Sequence, residues 1–171
     1  MTFPTTAKTA LSLLPLVLLA AASLSGAAPA TPTTATPTTA TTAKTIRIEM
    51  SEMKFAPMNL TLRAGQPVVI QLSNAGVAPH EFQAYGKPGA APKGEAAWDA
   101  YMEKHTIWLP SRDTRLTVNG KAVKGRFIEV QLKPGEKATL SFTPTQAGAF
   151  EMACDYPGHY ESGMKGPLTV R

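Results

Sequence analysis

Residues 149–171 read Ala149-Phe-Glu-Met-Ala153-Cys154-Asp-Tyr-Pro-Gly-His159-Tyr-Glu-Ser-Gly-Met164-Lys-Gly-Pro167-Leu-Thr-Val-Arg171. Two short apolar runs, 149–153 and 167–171, bracket a loop in which Cys154, His159 and Met164 recur with four residues between each pair. Pro157-Gly158 can reverse the chain between the first two, because Pro presets φ and Gly accepts positive φ, and Gly163 gives the same freedom before Met164. The pattern predicts strand, tight loop, strand, with three soft or borderline donors gathered at one end of a sheet.

Working back along the chain, the same strand grammar repeats. Ile46, Ile48 and Met50 alternate with Arg47 and Glu49, a half-buried strand; Leu60-Thr-Leu62 precedes the turn signal Ala64-Gly65. Val68–Leu72, Glu81–Tyr85, Arg126–Leu132 and Ala138–Phe142 continue the series, with Pro134-Gly135 as a turn. About eight short strands with Gly/Pro turns predict an all-β sandwich or barrel. One stretch, 86–125, reads as an insertion: a Gly/Pro/Lys loop, then a helix over 94–105 whose Trp98, Tyr101, Met102 and His105 form one stripe. That stripe is read as packing against the sheet, and His105 as structural.

Upstream, Asn74-Ala-Gly-Val-Ala-Pro-His80 places a second histidine at the start of a strand. Each residue alone has a bland meaning, a lone Cys above all, since it is usually a small buried hydrophobe. Together they are two of three His, the only Cys and a Met in register, all at loop positions beside Gly or Pro. Two imidazoles, a thiolate and a weak thioether make the donor set of a mononuclear copper electron-transfer site. The expected ligands are therefore His80, Cys154, His159 and Met164, for one type 1 copper. A single Cys also excludes a disulfide framework and any dinuclear thiolate-bridged centre held by one chain.

The chain resembles the cupredoxins, the blue copper family, over most of 45–171, on the strength of Asn74-Ala-Gly through Pro79-His80 and of Cys154 through Met164 with Lys165-Gly166 and a last strand. The gaps on both sides of His159 are more like auracyanin and rusticyanin than plastocyanin. The resemblance implies a two-sheet Greek-key sandwich with a short helical insertion, His80, Cys154 and His159 as equatorial ligands and Met164 as axial ligand. It further implies a Cu(I)/Cu(II) cycle with electrons passing near the exposed edge of His159. Many family members have Asn after the first His and Ser or Thr after the Cys, a pair that ties the two loops together. Glu81 and Asp155 stand there instead. Both pointing inward would set two carboxylates against each other unless one were protonated or a base intervened, so one or both are expected to face solvent.

The ends of the chain set its destination. Lys8, the apolar run 10–22 and Ala28-Pro-Ala30 have the layout of a secretory signal peptide over 1–30. The apolar run is short for a membrane span; an uncleaved anchor is the alternative. A Thr/Pro-rich linker, 31–44, lacks the large apolar groups that would offset its ordering entropy. The remaining segment, 45–171, is about 125 residues, a size that buries about two-thirds of its unfolded surface. The predicted location is periplasmic or extracellular.

The whole chain has net charge +5, with 17 Lys+Arg against 12 Asp+Glu. Residues 86–126 hold eight basic and four acidic residues, so the basic excess belongs to the insertion and the sandwich is close to neutral. The reading is a non-enzymatic electron carrier between redox proteins such as a cytochrome or an oxidase. An acidic partner would be steered by the insertion, nucleic acid is not expected as a partner, and a membrane enters only if the leader stays. Val77, Ala78, Pro79, Tyr156, Pro157 and Met164 are expected to form an apolar docking face. The competing reading is a copper carrier or storage protein, in which Met50, Met53 and Met58 would hold Cu(I) softly. A Cys154–His159 nucleophile–base pair would account for neither His80 nor Met164.

Overall fold

The computed structural model describes residues 41–171; the expected signal peptide and the first part of the linker, 31–40, lie outside them. Eleven strands and one helix follow the order β1 (Lys44–Ser51), β2 (Lys54–Ala56), β3 (Leu60–Leu62), β4 (Val68–Asn74), β5 (His80–Tyr85), α1 (Glu95–His105), β6 (Arg115–Val118), β7 (Lys121–Ala122), β8 (Val130–Leu132), β9 (Lys137–Phe142), β10 (Gly148–Ala153) and β11 (Lys165–Val170). They form a six-stranded sheet, β2-β1-β4-β9-β6-β7, and a five-stranded sheet, β3-β11-β10-β5-β8. This is the expected all-β sandwich.

The alternation read from the sequence is what the sheets bury. Ile48 and Met50 of β1, Ile70 and Leu72 of β4 and Leu140 and Phe142 of β9 enter one core with Phe82, Met152 and Leu168 of the other sheet. β1 and β4 run parallel, as do β3 and β11, while the other pairings are antiparallel. Parallel neighbours cannot be joined by a hairpin, so the chain crosses between sheets to reach them.

The stretch 86–125 is less of an insertion than its composition implies. The helix is where the periodicity places it, begun by Gly94 at φ +84° and closed against the sheet by Gly86 N–H donating to His105 O (3.1 Å). Met102 is buried, Trp98 and Tyr101 are half-buried, and His105 stacks on Tyr101 from an exposed position. Beyond it the chain rejoins the fold. Trp108 has no exposed surface, lies between the rings of Phe82, Phe127 and Phe142, and donates from Nε1 to Phe127 O at 2.9 Å. Residues 115–118 then pair with β9. Thr106, Ile107 and Trp108 are therefore core and 115–118 is strand, with a partly exposed turn at 109–114 between them.

Two further boundaries differ. The predicted strand 126–132 is regular only over Val130–Leu132, because Phe127 leaves the ladder to accept the Trp108 bond. Lys44, placed in the linker, already pairs with Val68.

Candidate metal centre

One end of the sandwich is built by two loops. The first runs from the end of β4 to the start of β5, residues 74–80, and is organised by Asn74. This buried side chain donates from Nδ2 to Ala78 O (2.8 Å) and Leu132 O (2.9 Å), and its Oδ1 accepts Gly76 N–H (2.9 Å). The loop is thereby coiled on itself and fastened to β8, and His80 emerges buried at the head of β5. Pro79 before it favours the extended backbone in which a strand begins.

The second loop, 154–164, holds itself through its backbone. Cys154 N–H donates to Met164 O (3.1 Å), Met164 N–H to His159 O (3.0 Å) and His159 N–H to Tyr156 O (2.9 Å). Gly158 and Gly163 take φ of +82° and +100°, the left-handed region their lack of a side chain allows. The three chemistry-bearing residues are thus brought to one place by bonds within eleven residues.

His80, Cys154 and His159 converge. His80 Nδ1 is 3.2 Å from His159 Nδ1, His159 Nδ1 is 3.3 Å from Cys154 Sγ, and all three donors lie within 4.8 Å of one another. Donors sharing one ion at bond lengths of about 2.0–2.3 Å are necessarily about 3–4 Å apart, so the spacing fits a single metal ion. His80 and Cys154 are fully buried, and His159 keeps 8% of its surface exposed. Met164 is buried beside them, in the core that includes Cys154. The donor set is borderline to soft, which suits copper rather than calcium or magnesium.

The electrostatics of the cluster favour a neutral Cys154 and a neutral His80. Burial, opposed by the N–H groups of Glu81 and Tyr156, pushes the Cys154 thiol up. Burial, and then the neighbouring His159, lowers the His80 imidazole. A thiolate here is met by the N–H groups of Glu81, at 3.3 Å from Sγ, and of Tyr156.

The two carboxylates beside the ligands do not collide. Glu81 is half-buried with Oε1 accepting from Gln131 Nε2 (3.3 Å), and the same amide reaches Tyr156 Oη (3.1 Å). Asp155 is exposed. Burial, and after it the charge of Glu129, pushes Glu81 up to about 7; Asp155, though exposed as a residue, has its carboxyl partly desolvated against the protein, and this, with the charges of Glu129, Glu151 and Glu161, raises it. The loop tie thus passes through Gln131 of β8 and not through a Glu81–Asp155 pair. Alongside runs a groove of about 1220 Å³ between α1 and the outer face of β5, β8 and β10, whose walls include Glu81, Glu129, Glu151 and Asp155. The site is therefore flanked by acidic groups on this side, which net charge did not reveal.

Of the expected docking face, Val77 is 86% exposed, Pro157 is exposed and Tyr156 half-buried. Met164 is not on it, being buried. Met50 is also fully buried, whereas Met53 and Met58 are exposed. Among the described residues no helix is long and apolar enough to cross a membrane.

Comparison with known proteins decides the family. The chain is 31% identical over 146 residues to the copper-resistant cuproprotein CopI of Pseudomonas aeruginosa, covering 74% of this chain and 75% of that one. A family model described as a cupredoxin-like domain matches residues 15–89. The chain belongs to the cupredoxin family. It is also 27% identical over 128 residues to auracyanin-B of Chloroflexus aurantiacus, 73% of this chain but half the length of that protein. Among solved structures, auracyanin A, a "blue" copper protein from the same bacterium, superimposes with a TM-score of 0.51 at 22% identity over 76% of this chain and all of that one. At that identity the likeness speaks for the cupredoxin fold alone.

Proposed function

We propose that this cupredoxin holds one type 1 copper through His80, Cys154 and His159, with Met164 as weak axial donor, and carries single electrons between redox proteins outside the cytoplasm. The observation that carries the reading is the convergence of two Nδ1 atoms and one Sγ in a buried pocket, 3.2–3.3 Å apart along the chain of contacts. Bound copper supplies a one-electron couple between Cu(II) and Cu(I). The protein's own residues supply everything around it. Both imidazoles present Nδ1, the Glu81 N–H supports the thiolate, and burial excludes water. The backbone bonds of 154–164 hold the donors still, which is what rapid electron exchange requires. His159, the one donor with exposed surface, is the exit for electrons, and Val77 and Pro157 give the partner an apolar contact beside it.

No catalytic residue is proposed. Copper oxidase chemistry of the multicopper kind needs further copper sites, and the third histidine, His105, stands on α1 against Tyr101. Export rests on the leader-like sequence of 1–30. The division into a leader over 1–30, a linker over 31–44 and a copper-binding domain over 45–171 is part of this proposal, with Lys44 joining the domain through its pairing with Val68. For partners, the 86–126 stretch, basic overall, forms one wall of the acidic groove beside Cys154, so the two charges lie side by side and steering is orientational as well as attractive.

The test is a visible titration with Cu(II). One equivalent should produce an intense thiolate-to-copper charge-transfer band, abolished in Cys154→Ser; a colourless wild type would refute the proposal. A second reading, copper delivery, is favoured by the name of the relative CopI and by the exposed Met53 and Met58. It differs in requiring rapid copper exchange and a second Cu(I) equivalent; Met50, buried in the core, takes no part.

A further inference from the structure

The first ligand loop contains an atom that copper binding alone does not account for. If the metal takes both Nδ1 atoms, the proton of each neutral imidazole must sit on Nε2. On His80 that Nε2 is buried and has no hydrogen-bond partner. A buried donor left without an acceptor is destabilising. Without an acceptor for Nε2–H, the ring would do better with its proton on Nδ1, donating to His159 Nδ1 at 3.2 Å. That tautomer blocks the metal position.

Glu52 is the carboxylate that borders this nitrogen, although no hydrogen bond joins the two as the side chains stand. It lies in the turn between β1 and β2, and its Oε1 accepts Val77 N–H at 2.6 Å, which anchors the turn to the ligand loop. Ala75 N–H adds a second tie, donating to Met50 O at 2.8 Å. The point where a Cβ on Gly76 would stand is 2.7 Å from Glu52 Oε1 and 2.9 Å from His80 Nε2. Carboxylate and ring nitrogen therefore border one small opening, kept clear because residue 76 has no side chain. Asn74 Oδ1 borders it too, at 3.3 Å; both oxygens already accept one backbone N–H, from Gly76 and Val77 respectively, but the carboxylate is the stronger acceptor and has a second oxygen to offer.

We propose that Glu52 is the positioning residue of His80: across the opening at Gly76 its carboxylate accepts the Nε2–H proton and so fixes the tautomer that leaves Nδ1 free for a metal. Carboxylates that orient a ligating imidazole in this way also raise its basicity, and their loss typically costs 10–100-fold in metal affinity. The functional meaning rests on the copper reading; the geometry does not.

Histidine side-chain ¹⁵N NMR on the full-length metal-free protein, followed by Cu(II) titration of the same samples, tests it. Wild type and Glu52→Gln, which keeps an acceptor oxygen, should show His80 as the Nε2–H tautomer. Glu52→Ala should move His80 toward Nδ1–H and weaken Cu(II) binding about tenfold or more. An unchanged His80 tautomer in Glu52→Ala overturns the proposal, even if the melting temperature falls, because Glu52 would then be only a tie for Val77. A wild type that binds no copper but shows the Glu52-dependent tautomer supports this inference and refutes the copper reading.

Discussion

The two loops that make the metal end are held by opposite means. Loop 154–164 is closed by its own backbone, from Cys154 N–H to Met164 O, and depends on glycines at positive φ. Loop 74–80 is framed internally only by the Asn74 side chain, which bonds Gly76 N–H and Ala78 O, and not by backbone-to-backbone bonds within the loop. It is fixed by the Asn74 side chain reaching Leu132 O on β8 and by Glu52 reaching in from the β1–β2 turn. The first is a local motif whose parts are adjacent in sequence. The second is a tertiary assembly from residues up to 58 positions apart. A ligand set that must change little during electron exchange is thus secured once by chain chemistry and once by the scaffold.

The largest effect should come from breaking the scaffold side. Asn74→Ala removes three buried hydrogen bonds, each contributing about 1 kcal/mol, and strands Leu132 O without a donor. Denaturant unfolding should show a loss of about 3 kcal/mol, and a loss under about 1 kcal/mol would mean the loop does not depend on Asn74. Next is the axial position. Met164→Leu nearly conserves volume, so stability should change by less than about 1.5 kcal/mol and copper should remain bound. Its reduction potential should rise, because a weak donor that favours the oxidised metal is gone. Voltammetry reads this directly, and complete loss of copper would show Met164 to be more than axial. The smallest change should be Gly158→Ala in the self-closed loop. Forcing a Cβ into the left-handed region costs about 1–2 kcal/mol, and nothing lies within 4 Å of the added methyl. Thermal melting should show this modest cost with the charge-transfer band intact; a lost band would show that loop 154–164 is less autonomous than its bonds indicate.

The same contrast explains what could be read from the sequence. Cys154, His159 and Met164 announce themselves by spacing, and His80 by its place after Asn74-Ala-Gly and Pro79, since these signals are local. The sheet alternation was equally plain in β1, β4 and β9. Glu52 and the anchoring role of Asn74 were not legible, because nothing near them in sequence names their partners. Trp108 was hidden inside a basic stretch; its burial with Thr106 and Ile107, and the pairing of β6 with β9, tie that stretch to the sandwich. One local signal was available and unused: Asn119-Gly120, at φ +49° and +77°, is the two-residue turn that joins β6 to β7. The acidic groove could not be deduced from net charge, since Glu81, Glu129, Glu151 and Asp155 come together only when β5, β8 and β10 lie side by side.

X-ray absorption at the copper edge, on the full-length protein loaded with one equivalent, addresses the shared ion most directly. The arrangement of His80, Cys154 and His159 predicts one short copper–sulfur contact together with two imidazole nitrogens. A shell of only oxygen and nitrogen neighbours, with no sulfur, would contradict it.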